Sequence, residues 1–332
     1  MELPQYVQIE PVGQCNLRCR MCPIQFRQDG PPYGPPAFMD FEVYCRIVDE
    51  IPTMTELHLQ GLGEPTMHPR FFDMVSYAAG KGIQVSTNTN LTLLNRTRAL
   101  KCISSGLARL HASLDGATAA TYEGIRRGAH HARVLKHLQI LLDIRREKHS
   151  ATPFVQIVYV VMRRNLAELP DLLRQAQALG VDEVFVQHLC HDFGEASLPA
   201  HYRPMRAFVA AETLLGEDEA TVAHVFDAAR ELARELGITL RLPRIKAHVH
   251  PPGTPGRQRC DWPFKGGYIS YQGLAMPCCM IATPDRLNFG SVAERGVEAV
   301  WNSEAFHAFR AQLDSDTPPE ICRSCAVYNG TF

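Results

Sequence analysis

Between Tyr6 and Leu189, short runs rich in Val, Ile and Leu alternate with stretches whose apolar residues recur every three or four positions. The first pattern marks strands and the second amphipathic helices. Strands are predicted at Tyr6–Glu10, Glu56–Gln60, Ile83–Thr87, Arg109–Leu114, Phe154–Met162 and Glu183–Leu189. Helical patterns at Phe41–Ile51, Arg70–Ala79, Arg96–Ser105, His130–Lys148 and Leu166–Leu179 separate them. Gly80, Gly82, Gly106 and Gly180 fall where helices should stop. Strand and helix repeated in this way give parallel strands with right-handed crossovers. The expectation is an α/β fold, a partial barrel of six βα units, with ligands gathered at the C-terminal ends of the strands.

The rhythm breaks after Leu189. Residues 191–204 carry Gly, Ser and two Pro, and helical patterns follow at Met205–Leu215 and Val222–Leu236. His250–Gly256 reads as a linker. Beyond it, Gly267–Cys278 has hairpin character, and Val297–Leu313 reads as one helix containing Trp301. The expected organisation is a barrel over residues 1–195, a helical bridge and linker over 196–256, and a small α+β module over 257–332.

Composition narrows the class. Thirty-four basic residues against 35 acidic ones leave a net charge of −1, without the bulk basic charge of a general nucleic-acid binder. The most apolar stretch, Phe154–Met162, is far short of the roughly 18 residues a spanning helix needs. Met-Glu-Leu-Pro-Gln at the start lacks the basic and apolar regions of a secretion signal, so a cytoplasmic location is expected. Eleven cysteines then stand out, because in a reducing compartment clustered thiols bind metal or do redox chemistry.

Three of them follow the first strand in Cys15-Asn-Leu-Arg-Cys19-Arg-Met-Cys22-Pro23. A closed structural zinc site takes four ligands. Three thiolates on one tight loop suit three irons of a four-iron cluster and leave the fourth iron open. Gly61-Leu-Gly63-Glu64-Pro65 follows the second strand. Its glycines permit close backbone approach, and its carbonyls and Glu64 can face an ammonium group. Ser86-Thr87-Asn88 ends the third strand and Ser113-Leu-Asp115 the fourth.

On these residues the chain resembles the radical S-adenosylmethionine (radical SAM) superfamily over residues 1 to about 190. The cysteine loop is similar to that family's cluster motif, and Gly61–Pro65 to its Gly-Gly-Glu-Pro segment. The resemblance implies a partial (βα)6 barrel in which Cys15, Cys19 and Cys22 hold a [4Fe-4S] cluster. Gly61, Gly63, Glu64 and Pro65 would meet the methionine moiety of S-adenosylmethionine, and Asn88 and Ser113 its ribose or carboxylate, or else act as helix caps. Met21 stands where the family often has an aromatic residue, and its sulfur can pack beside an adenine.

The late cysteines read Cys260-x17-Cys278-x43-Cys322-x2-Cys325. On spacing alone they fit a zinc ribbon or an auxiliary cluster equally. Their context resembles the C-terminal SPASM or twitch modules of radical SAM enzymes: Trp262 after Cys260, Gly273 before Cys278, Asn288-Phe-Gly290 and Val300-Trp301-Asn302. That implies one auxiliary [4Fe-4S] cluster; Cys279 could substitute for Cys278, but the Gly-x4-Cys spacing from Gly273 favours Cys278. Cys45 and Cys102 lie on amphipathic helices and read as small hydrophobes. Cys190 ends the sixth strand, where a thiol could return a hydrogen atom to a substrate radical; Glu10, His188, His191 and Asp192 could hold polar substrate groups. The basic segment Arg126–His149 reads as a solvated outer helix face rather than a phosphate contact.

The resemblance therefore implies an enzyme that cleaves S-adenosylmethionine to a 5′-deoxyadenosyl radical. That radical would abstract hydrogen from a carbinol carbon of a sugar- or aminocyclitol-like molecule, and Cys190 would complete an epimerisation. The alternatives are alcohol dehydrogenation through the auxiliary cluster, radical modification of a ribosomally made peptide, and a non-catalytic iron–sulfur or zinc scaffold. The first strand begins within a few residues of Met1, which leaves no room for an N-terminal peptide-recognition domain and favours a small polyol or aminosugar. A flavodoxin- or ferredoxin-type donor would supply electrons, and neither membrane nor nucleic acid is expected as a partner.

Overall fold

The computed structural model describes residues 1–27, 37–189, 194–246 and 260–331; the predicted loop at Gly30–Pro36 and the linker at His250–Gly256 lie outside them. Strands β1 (Tyr6–Ile9), β2 (Glu56–Leu59), β3 (Gln84–Thr89), β4 (Arg109–Ser113), β5 (Phe154–Val161) and β6 (Glu183–His188) follow the predicted apolar runs. They pair in parallel in chain order. Helices α1 (Phe41–Asp49), α2 (Phe71–Ala79), α3 (Arg96–Ser104), α4 (Ala119–Ile125), α5 (His131–Glu147) and α6 (Leu169–Leu179) fill the crossovers. Their ends are chemically marked. The Asp40 carboxylate accepts the amides of Glu42 and Val43, a cap worth about 1 kcal/mol, and Gly180 closes α6 at φ 79°.

Successive strand residues face opposite ways. One set, including Leu57, Leu59, Val85, Leu110, Ala112, Ile157 and Val186, shares a core with Ile47, Met74, Leu138 and Leu172 of the helices. The other set, including Asn88, Ser113, Val158, Val160 and Gln187, lines a cavity on the opposite face.

Three further strands extend the sheet. β7 (Thr239–Arg241) lies parallel to β6, β8 (Gly266–Ile269) parallel to β1, and β9 (Ala275–Met276) antiparallel to β8. The nine-stranded order is β9-β8-β1-β2-β3-β4-β5-β6-β7. Residues after Cys260 thus continue the barrel sheet on its β1 side. The β8–β9 turn matches the expected hairpin, with Gly273 at φ 78° and its amide on the Ser270 carbonyl.

After β6, α7 (Arg203–Glu212) and α8 (Glu219–Leu236) form the bridge. It is tied to the late segment by a buried Arg286–Glu195 ion pair and by Tyr202 Oη against Thr283 Oγ1 at 2.5 Å. The single helix predicted over Val297–Leu313 is in fact two, Val297–Trp301 and Glu304–Leu313. Ser303 breaks it: its backbone is extended and its hydroxyl accepts the amide of Phe306, a competition for helix bonds that apolar spacing does not register. Trp301 Nε1 donates to the Glu2 carbonyl at 2.8 Å and fastens the chain start to this region. No helix of the described residues is long and apolar enough to cross a membrane.

Candidate active site

The cysteine loop leaves β1 and is held at several points. Arg18 and Cys19 pair antiparallel with Arg127 and Arg126. The Arg18 guanidinium donates to the Cys15 carbonyl at 2.7 Å, Gln25 Nε2 donates to the Cys19 carbonyl at 2.8 Å, and the Leu17 amide donates to Cys15 Sγ at 3.4 Å. The Gly61–Pro65 loop packs directly on it, with the Glu64 amide on the Gln14 carbonyl at 2.9 Å. A Cβ at position 63 would stand 2.0 Å from the Val12 carbonyl oxygen and 2.5 Å from that of Gln14. Gly63 is therefore glycine so that the two loops can touch.

Glu64 is buried and already engaged. Its carboxylate accepts from Thr66 Oγ1 (2.5 Å), Thr89 Oγ1 (2.8 Å) and the amides of Thr66 (3.2 Å) and Asn90 (2.8 Å). Burial raises its pKa while these bonds pull it down. The carboxylate thus pins its loop to the end of β3 as well as lining the cavity. Asn90, which sequence reasoning missed, donates from Nδ2 to Cys15 Sγ at 3.7 Å and to Asn16 Oδ1 at 3.0 Å.

A cavity of about 210 Å3 opens between these loops and the strand ends. Cys15, Cys19, Cys22 and Met21 line it from the cysteine loop, Gly61, Gly63 and Glu64 from the second loop, and Asn88 and Ser113 from β3 and β4. Pro65 begins a 3-10 turn and is buried behind the loop. Arg126 also lines the cavity. Its Nε donates to Asp115 Oδ2 at 2.6 Å and its Nη1 lies 3.9 Å from Cys19 Sγ. Burial opposes the guanidinium charge, but Asp115 and Cys19 hold it firmly protonated. Arg126 is thus no part of a solvated face: the ribbon pairing with Arg18–Cys19 turns it inward.

All ten described cysteines are free thiols. Burial first pushes up the thiols of Cys15, Cys19 and Cys22; the charges of Glu64 then add at Cys15, of Asp115 at Cys19 and of Cys19 at Cys22, the last raised to about 12, although Arg126 draws Cys19 back down. Three buried thiols become stable thiolates only against a positive partner. An iron–sulfur cluster fits that donor set. The buried Asn88 Oδ1 has no partner in the protein, and it lines the same cavity; an orphaned acceptor there suits a ligand bearing hydroxyl or amino groups.

The second thiol group forms around β9. Cys278 is pushed well up by burial and by Cys279, Cys325, Cys260 and Cys322, so all five share one neighbourhood. Cys260 is raised to about 11 and Cys279 to about 12, each by burial first and then by Cys325. Cys322 and Cys325 sit on one tight turn, the Cys325 amide on the Cys322 carbonyl. The four expected ligands thus lie in one neighbourhood together with Cys279, although among the described residues no three of these side chains are already placed to grip a metal ion.

Cys190, His191 and Asp192 lie outside the described residues. His188 is turned away from the substrate role, its Nε2 donating to the Arg244 carbonyl at 2.9 Å. Glu10 is likewise occupied, in an ion pair with Arg27. Gln60, also missed, lines the cavity and accepts from His58 Nε2 at 2.5 Å.

The radical SAM superfamily model matches residues 9–176, and the SPASM model, an iron–sulfur cluster-binding domain, matches residues 260–326. The chain is 25% identical to the tungsten-containing aldehyde ferredoxin oxidoreductase cofactor-modifying protein of Pyrococcus furiosus, over 97% of this chain and 87% of that protein. It is 26% identical to the PqqA peptide cyclase of Rhodopseudomonas palustris, over 98% of this chain and 80% of that one. Its fold is similar to that of SuiB from Streptococcus suis, solved with bound S-adenosylmethionine. The TM-score is 0.69 at 14% identity, and the match covers 99% of this chain and 72% of that one.

Proposed function

The chain belongs to the radical SAM superfamily, and from that premise we propose that it is an enzyme performing radical modification of a ribosomally made peptide. Residues 1–195 act as the catalytic barrel, 196–256 as the bridge and 257–332 as the module for one auxiliary cluster. When bound, the cluster and S-adenosylmethionine supply a 5′-deoxyadenosyl radical that removes hydrogen from a substrate carbon. Around them the chain's own residues have separate tasks. Cys15, Cys19 and Cys22 hold the cluster and Asn90 braces Cys15. The Gly61–Pro65 loop presents carbonyls to the methionine ammonium, Asn88 and Ser113 take the ribose or carboxylate, and Met21 packs on the adenine. Arg126 keeps a positive charge beside Cys19. Cys260, Cys278, Cys322 and Cys325 hold the auxiliary cluster.

One observation carries the choice of substrate. Away from the cofactor loops, the cavity is walled by Val158, Val160, Leu189 and Met205, with the amides of Gln60 and Gln187. A polyol presents a hydroxyl on most carbons, and each one buried without a partner costs about 1–3 kcal/mol. This wall suits an aliphatic or amide-bearing side chain better. The relationship to a peptide cyclase supports the same direction, and together they favour a peptide over the sugar or aminocyclitol expected from the sequence. The test is formation of 5′-deoxyadenosine by the anaerobically reconstituted, reduced enzyme. Short peptides encoded beside this chain should stimulate it and show a mass change of their own. Stimulation by polyols or aminosugars, and by no peptide, would overturn the proposal.

A further inference from the structure

Glu10 directly follows β1 and is fully buried, with Arg27 as its ion-pair partner at 1% side-chain exposure. The fork is bidentate, Nη1 to Oε1 at 2.6 Å and Nη2 to Oε2 at 3.0 Å. The same carboxylate accepts the Leu62 amide at 3.0 Å and the Tyr271 amide at 3.3 Å. These donors come from three places. Arg27 follows the cysteine loop, Leu62 sits inside Gly61–Pro65, and Tyr271 lies in the turn from β8 toward Gly273 and Cys278. Two glycines make room for the arrangement. A Cβ on Gly61 would stand 2.2 Å from Glu10 Cγ, and one on Gly13 would stand 2.4 Å from the Tyr271 ring. The Arg27 guanidinium also lies over that ring, 4.9 Å from its centre.

We infer that Glu10 is a positioning residue for S-adenosylmethionine: its carboxylate sets the Gly61–Pro65 loop against the cysteine loop and ties both to the auxiliary-cluster module. The inference rests on the proposed function for the identity of the ligand. Glu64 fastens the far end of the loop to Thr89 of β3, and Glu10 fastens its near end, so the loop is held from both sides. A neutral side chain at position 10 keeps the shape but gives up the charge that draws three donors together. Leu62 then loses its strong acceptor, and the loop that meets the methionine moiety loosens.

The experiment measures equilibrium binding of S-adenosylmethionine to cluster-loaded wild type and to Glu10→Gln, with iron content and thermal stability read on the same samples. Wild-type binding by itself tests the family chemistry. Against a wild type that binds, Glu10→Gln should keep its iron and bind the cofactor about tenfold more weakly, the scale of one hydrogen bond to a charged group. Glu10→Asp, which keeps the charge, should fall between the two. Unchanged affinity in a folded, iron-loaded Glu10→Gln would overturn the inference and leave Glu10 an ordinary buried ion pair. Should Glu10→Gln not accumulate, the charge-neutral pair Glu10→Gln with Arg27→Gln is measured instead, and the same two outcomes decide.

Discussion

The loop with Cys15, Cys19 and Cys22 gathers its thiols from eight consecutive residues, whereas Cys260, Cys278, Cys322 and Cys325 reach one neighbourhood from three separated segments. The first site is a local structure laid on the barrel mouth, and a cluster held by its three thiols would stay open toward the cavity. The second is a product of the finished fold, and four thiols can enclose what they hold. Bringing distant segments together costs chain entropy, which a bound group then offsets. The near site should therefore matter most for chemistry and the remote one most for stability.

The strongest way to break that contrast is to empty the near site. Cys15→Ala, Cys19→Ala and Cys22→Ala together should abolish 5′-deoxyadenosine formation and halve the iron, from about eight to about four per chain. The melting temperature should move by no more than about 3 °C. Emptying the remote site should do the converse: Cys322→Ala with Cys325→Ala should leave cofactor cleavage measurable but lower the melting temperature by about 5 °C or more. Cys278→Ala should lose the same iron, while Cys279→Ala should keep it. An equal loss in both single variants would make Cys279 a ligand.

Gly63→Val sharpens the comparison further. Its side chain would strike the carbonyls of Val12 and Gln14, so near-site iron and cofactor binding should fall together while remote iron stays. Loss of cofactor binding alone would mean that residue 63 meets the ligand and not the neighbouring loop. The smallest effect lies beneath the near site. His58 and His111, with ring centres 5.5 Å apart, are held neutral by burial, at about 4 and about 3. An unfolded chain protonates its histidines below about pH 6.5, and these two do so only well below that. Stability should accordingly fall as pH drops from 6.5 toward 4. His111→Gln should flatten that slope in melting curves without changing iron at either site.

Much of this was legible because it is local. Six strands came from apolar runs, and the cysteine and Gly61–Pro65 loops from short motifs. What stayed hidden depends on partners far away in sequence. Arg126 reads as part of a basic helical segment, and only its pairing with Cys19 turns it toward the cavity. Asn90 carries no motif, and its bond to Cys15 spans 75 residues. Strand β7 is three residues long, too short for a period, and the break at Ser303 is a capping event within an otherwise continuous apolar pattern. The motif brought out Gly63, but not its close packing against the Val12 and Gln14 carbonyls, which comes from a different loop.

The position of β1 between β2 and β8 bears on how the protein is made. Tyr6–Ile9 leaves the ribosome some 260 residues before Gly266–Ile269, the strand that covers one of its edges. For tens of seconds at ordinary rates of synthesis, a buried strand of the barrel must keep that edge unpaired, and such an edge recruits other chains. A nascent chain stalled before residue 266 should therefore aggregate, and co-expressed chaperones should raise the yield of the complete protein.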